Sequence, residues 1–262
     1  MKRLIVAGFA LALLVPACAF AQSAFNGTWK TDVNSMKGTG TPAVIHLKDG
    51  MYESNSVPPI KVKADGEDHA VTGHPGFDTV AIKVLNDHSI QETDKKDGKV
   101  VSTWTITVAA DGKTATYEFT NDSGASPVTG KLMVKRIAKG APGSNAVAGT
   151  WQFEHYGDIS ASALTASYKV DGDTVSFSDP TGDSYTAKIN GKAVPYTDGS
   201  GITGTTVSVK RLGKRSLRET FSRDGKVTST NTMTVAANGQ TMKTVSHNMR
   251  MKRSMTSVAH KQ

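Results

Sequence analysis

The chain has 262 residues, with 31 Lys and Arg against 23 Asp and Glu and a net charge of +8. One cysteine rules out an internal disulfide framework. Aromatics are few, at 6%, while Gly, Thr, Ser, Val and Lys abound, which suits turns and half-buried strands rather than long helices.

The N-terminus reads as an export signal. Lys2 and Arg3 form a positive end, an apolar run follows from Leu4 to Val15, and Ala19-Phe20-Ala21 offers small residues for cleavage. The run is shorter than the roughly 20 residues a membrane helix needs, so residues 1–21 are expected to be removed. A second reading is a lipoprotein signal ending at Cys18, which would tie the chain to a membrane through lipid. Otherwise the mature chain has no thiol, and its expected location is periplasmic or secreted.

The mature chain carries 29 basic and 23 acidic residues, net +6. Residues 22–143 hold 14 of each sign, whereas residues 144–262 hold 15 basic and 9 acidic. That asymmetry coincides with an internal repeat. Asp97–Tyr117 and Asp224–Thr244 share 13 of 21 positions without a gap. Gly27-Thr28-Trp29 matches Gly149-Thr150-Trp151, Asp49-Gly50 matches Asp171-Gly172, and Val80–Lys83 matches Val207–Lys210. Two copies of a unit of ordinary domain length follow. The first spans 22–137 and the second 147–255. Between them 138–146, rich in Ala, Gly, Pro and Ser, reads as a flexible linker. Residues 256–262 read as a tail.

Each copy reads as all-β. Asp-Gly or Asn-Gly pairs at 49, 65, 97, 111, 171, 190, 224 and 238 supply the positive φ angles of tight hairpins. Between them the pattern alternates. Val100, Ser102, Trp104, Ile106 and Val108 share one face of a strand. Val227, Ser229, Asn231, Met233 and Val235 do so in the second copy. Further strands are predicted at 43–48, 60–64, 79–84, 89–93, 114–119 and 131–137. About 8–10 strands per copy with one dry face must curl into an antiparallel up-and-down barrel or a strongly curled sheet.

The ends of each copy carry a resemblance. Gly27 and Trp29 open the first copy, and Gly149 and Trp151 open the second. Each ends on an alternating strand with an Arg: Leu132, Val134, Arg136, then Met249, Met251, Arg253. A Gly-x-Trp on the first strand with an Arg on the last resembles the calycin superfamily of lipocalins and fatty-acid-binding proteins. The whole is similar to exported bacterial lipocalin-like proteins. The resemblance implies a barrel with an internal cavity, Arg136 lying over Trp29, and Arg253 over Trp151. Only about a dozen residues separate the Trp29 strand from Ala43, too few for the two lid helices of fatty-acid binders.

No linear catalytic or metal-binding motif is present. The histidines are scattered, there is no Gly-x-Ser-x-Gly elbow, and Gly112-Lys113-Thr114 is a hairpin rather than a Walker loop. No cofactor or metal is expected. Three functions compete. The first is a non-enzymatic binding protein holding a small apolar or amphiphilic ligand near Trp104, Tyr117, Phe119 and Asn231, with Arg136 or Arg253 pairing an anionic head. The second is a pocketless envelope protein. Its basic patch of Lys210, Arg211, Lys214, Arg215 and Arg218 would contact an anionic surface. The third is an enzyme whose set leaves no linear trace. Nucleic acid is not an expected partner, because only Phe221 is interleaved with those charges.

Overall fold

The computed structural model describes residues 23–262, so the signal and Cys18 readings lie outside the described residues. In chain order the strands are β1 (Gly27–Thr31), β2 (Lys37–Gly40), β3 (Ala43–Lys48), β4 (Met51–Ser54), β5 (Ile60–Lys63), β6 (Asp65–Ala70), β7 (Thr79–Asn86), β8 (Ser89–Lys96), β9 (Lys99–Val108), β10 (Thr114–Asn121) and β11 (Val128–Lys139). There follow β12 (Gly149–Ile159), β13 (Thr165–Asp171), β14 (Thr174–Ser178), β15 (Ser184–Lys188), β16 (Val194–Pro195), β17 (Thr205–Gly213), β18 (Ser216–Arg223), β19 (Lys226–Val235), β20 (Thr241–Asn248) and β21 (Arg253–Lys261). Hairpin turns form at Asp97-Gly98 and Asp224-Gly225, whereas Asp65-Gly66 lies inside β6 and joins strands at opposite ends of the sheet order, so no hairpin forms there. Asp97 and Gly98 have φ of 50° and 76°, and Asp224 and Gly225 have 52° and 72°.

Two antiparallel sheets result, each curled into a nearly closed barrel. The first runs β5-β4-β3-β12-β11-β10-β9-β8-β7-β6. The second runs β15-β14-β13-β1-β21-β20-β19-β18-β17-β16, with β2 also paired to β21. Its free edges approach through the bridges Ser184–Thr197 and Ile189–Val209.

The order within the sheets corrects the sequence reading. The two copies exchange their first strands. β1 pairs with β13 and β21 of the second barrel, while β12 pairs with β11 and β3 of the first. The cause lies in the connection. β11 turns straight back into β12, with Lys139 opposite Gly149, so the stretch 138–146 completes a hairpin. Ala138 and Lys139 belong to β11, and the Asn145 and Ala146 amides donate to the Leu47 and Asp87 carbonyls. A chain that continues as a hairpin keeps its next strand in the same sheet. The second barrel must then close on the strand left over, β1. Residues 256–262 are also not a tail, because β21 runs through them to Lys261. Met249 and Met251 sit in the preceding turn, about half exposed.

Each barrel encloses a core of apolar side chains. Ile45, Leu47, Ile60, Val80, Ile82, Ile90, Ile106 and Trp151 are among those in the first. Phe25, Trp29, Val175, Val207, Leu217 and Met233 are among those in the second.

Candidate functional site

Each barrel has a sealed end. In the first, the Arg136 guanidinium lies 4.0 Å over the Trp151 ring. It also donates to the carbonyls of Gly112 at 2.6 Å, Ala148 at 2.7 Å and Ala146 at 2.6 Å. In the second, Lys261 lies 5.3 Å over Trp29. The expected pairings of Arg136 with Trp29 and Arg253 with Trp151 are therefore wrong. Strand exchange swaps the tryptophans, and the cation at the end of the last strand is Lys261. Arg253 instead begins β21 and is exposed. Both indoles donate to the carbonyl four residues back, Trp29 to Phe25 and Trp151 to Val147. The Gly before each Trp has a steric reason. A Cβ at Gly149 would meet Arg136 Nη1 at 2.6 Å, and one at Gly27 would meet Lys261 Cε at 2.7 Å.

Towards the other end burial loosens. On β9, Ile106 and Val108 are buried but Trp104 is half-buried. On β10, Ala115 is buried but Tyr117 and Phe119 are half-buried. This end is the candidate site, and strand register lays its residues out in rungs. In the first barrel Glu92 opposes Trp104, Trp104 opposes Phe119, and Phe119 opposes Gly130. The same rung in the second barrel is Glu219, Asn231, Ser246 and Met255. One rung further out, Asp94 and Ser102 correspond to Phe221 and Ser229.

The two rungs differ in how their carboxylates are satisfied. Glu219 is 2% exposed. It accepts from Tyr168 at 3.2 Å, Tyr185 at 2.5 Å and Asn231 at 3.0 Å. Burial raises its pKa, and those three donors oppose the rise. In the first barrel Glu92 accepts, among the described residues, from Tyr52 alone, at 3.1 Å. Its pKa is pushed up to about 7, first by burial and then by the neighbouring Asp94. Asp94 is 4% exposed; Ser102 donates to its Oδ2 at 2.5 Å, and its Oδ1 has no partner among the described residues. The Tyr117 hydroxyl is enclosed and also unpartnered. Trp104 and Phe119 pack with ring centroids 4.8 Å apart.

Trp104, Tyr117 and Phe119 thus converge in the first barrel, while Asn231 holds the corresponding place in the second. Arg136 belongs to the sealed end. Sequence reasoning missed Glu92 and Glu219. A signal for them was present: Ser89-Ile90-Gln91-Glu92-Thr93 and Ser216-Leu217-Arg218-Glu219-Thr220 each place Glu five residues before Asp-Gly-Lys.

The residues of the expected basic patch lie on the hairpin β17–β18. Lys210 lies directly opposite Arg218 on adjacent strands, and Leu212 at the tip of that hairpin is 45% exposed. Among the described residues no carboxylate forms an ion pair with Lys210, Arg211, Lys214, Arg215 or Arg218. Two open grooves also lie on the second barrel. One, of about 520 Å³, is lined by residues including Thr28, Ser167, Ser176, Ser178 and Ser184. The other, of about 400 Å³, lies along Pro195–Thr206. Among the described residues no group of three His, Cys, Asp or Glu is placed to hold a metal.

No family model matches the chain, and no curated protein matches it. A solved structure of a DUF4623 family protein from Bacteroides eggerthii DSM 20697 is similar over 89% of this chain and 77% of its own, at 8% identity and a TM-score of 0.19. A likeness that distant carries no argument about fold or function.

Proposed function

We propose that this is an exported, non-enzymatic two-barrel protein whose first barrel binds a small amphiphilic ligand at its looser end. The second barrel serves as a structural partner. The observation that carries this reading is the difference between equivalent rungs. The second barrel satisfies its carboxylate with three donors, while the first keeps an enclosed hydroxyl and a carboxylate oxygen unpartnered beside a half-buried aromatic pair. Buried polar groups without partners are costly, and a ligand that supplies the partner recovers that cost. Trp104 and Phe119 offer the apolar contact. The ligand would enter between these rings by side-chain movement.

The test is a titration with N-phenyl-1-naphthylamine, a neutral fluorescent amphiphile. Saturable binding is expected, and Trp104→Ala should weaken it about tenfold, or about 1.4 kcal/mol. Binding that survives Trp104→Ala unchanged rejects the site.

A second reading rests on Lys210 facing Arg218. Like charges directly opposite are unfavourable in a sheet and are relieved by a bound anion. That hairpin would then contact an anionic envelope surface. Flotation with phosphatidylglycerol vesicles should be lost with Arg211, Arg215 and Arg218 changed to Gln, and should weaken with salt. Binding that persists in the triple variant removes this reading.

A further inference from the structure

We infer that the ligand group held in the first barrel is an organic cation, an ammonium seated between Asp94, Glu92 and the rings of Trp104 and Phe119. This rests on the amphiphile-binding reading above and fixes the chemistry of the head, with the sign opposite to the one the terminal arginines suggested. Two carboxylates occupy neighbouring rungs on the interior face of β8. Among their hydrogen-bond donors the described side chains supply only Tyr52, to Glu92, and Ser102, to Asp94. Asp94 Oδ1 is left bare although the residue is 4% exposed. In the second barrel the rung of Asp94 carries Phe221 instead, so the second carboxylate is peculiar to the first. An enclosed carboxylate oxygen accepts hydrogen bonds only, so the complement must be a donor, and a charged donor binds it most strongly.

The aromatic pair points to the same sign. Trp104 stands directly across the strand from Glu92, and Phe119 packs against it at 4.8 Å. A cation beside an indole face gains from the ring quadrupole, whereas an anion there does not. The cations of the protein that face this region are held elsewhere or lie outside. Arg136 is fixed on three carbonyls at the sealed end. Arg253 acts on Tyr117 and Tyr156 only through space and is exposed on β21. Neither forms an ion pair with Glu92 or Asp94. The Tyr117 hydroxyl, enclosed next to Glu92, is a free donor and acceptor that can serve a hydroxyl on the same ligand.

The experiment compares ligands of equal tail length in displacement of N-phenyl-1-naphthylamine from the full chain at pH 8. Dodecylamine and N,N-dimethyldodecylamine, both protonated at this pH and both carrying an N–H donor, are expected to displace the dye at concentrations about tenfold lower than dodecanoate. The double variant Glu92→Gln, Asp94→Asn should bring the cation-to-anion ratio near one. Glu118→Gln, an exposed acid paired with Lys131 on the outer face of β10, should leave the ratio as it is. Dodecanoate displacing as well as the amines, or a ratio unchanged in the double variant, overturns the inference while the binding reading stands. Failure of the neutral dye to bind at all overturns both. Displacement by the amines that is equal in the Trp104→Ala protein places the cation somewhere other than this rung and also overturns the inference.

Discussion

In the second barrel a buried carboxylate, Glu219, takes hydrogen bonds from two tyrosines and an asparagine, whereas its counterpart Glu92 in the first takes one. The rungs are built on the same strands of the same repeat, with Asn231 replaced by Trp104 and Phe221 by Asp94. Each replacement changes the account for the carboxylate. Asn231 gives a hydrogen bond that Trp104 does not, and Asp94 adds a negative charge where Phe221 adds none. The scaffold thus tolerates a central carboxylate in two ways, by saturating it or by leaving it hungry. Saturation favours rigidity, and an unmet hydrogen-bonding demand favours a visitor.

The largest expected effect tests whether the barrels are as separate, and as crossed, as the topology makes them. Trp29→Ala should cost about 3–5 kcal/mol, as removal of a buried Trp generally does. Hydrogen exchange should show the loss in residues 165–261, not in the neighbouring strands 43–63. Trp151→Ala should do the reverse. Loss of protection in 43–63 after Trp29→Ala would contradict the exchange. Next comes Glu219→Ala, which leaves the Tyr168 and Tyr185 hydroxyls and the Asn231 amide buried without an acceptor. It should cost about 3 kcal/mol by chemical denaturation, allowing about 1 kcal/mol for each stranded donor.

Glu92 should behave in the opposite sense. Its carboxyl titrates near 7 in the fold against 4.5 when free, so the folded protein holds the proton more tightly. The stability this gives is complete below about pH 4.5, declines as pH rises through about 7, and is absent above. Glu92→Gln should therefore raise the melting temperature at pH 8 and leave it nearly unchanged at pH 4.5. The gain is bounded at about 3 kcal/mol, from 1.36 kcal/mol per pKa unit, and is smaller to the extent that solvent reaches this half-buried group. A lower melting temperature at pH 8 would mean that the charge is compensated in the fold. The smallest effect on stability belongs to the basic hairpin. Replacing Arg211, Arg215 and Arg218 with Gln should change unfolding by less than about 0.5 kcal/mol per site, because they are exposed and form no ion pair.

Much of this architecture was legible. The Asp-Gly turns and the alternation from Val100 to Val108 place β9 and its copy β19 correctly, because hairpin chemistry and side-chain period are local properties. Pairing of first and last strands is not local. Gly27-Thr28-Trp29 and Gly149-Thr150-Trp151 are near-identical and fit either barrel, so their local sequence does not say which goes where; the β11–β12 hairpin, closed by a loop over 140–148, places the second in the first barrel. Lys261 is hard to pick from sequence as the cation on Trp29, because Arg253 ends an alternating run, Met249 and Met251, whose members lie in a turn. At the site, Trp104 and Phe119 stood out by their size. Glu92 and Glu219 did not, since an acid in a polar-rich strand looks solvated until three-dimensional neighbours show otherwise.

The crossed first strands bear on how such a chain arises and how it survives damage. A single copy of the unit carries one such first strand, and the exchange seen here is the arrangement two copies reach when they trade that strand instead of each keeping its own. Fusing the two genes of such a pair yields this connectivity without redrawing any contact. The same reciprocity works as an interlock. A protease that nicks the loop at 140–144 leaves two fragments, each holding a strand inside the other's barrel. They should stay together until one barrel opens.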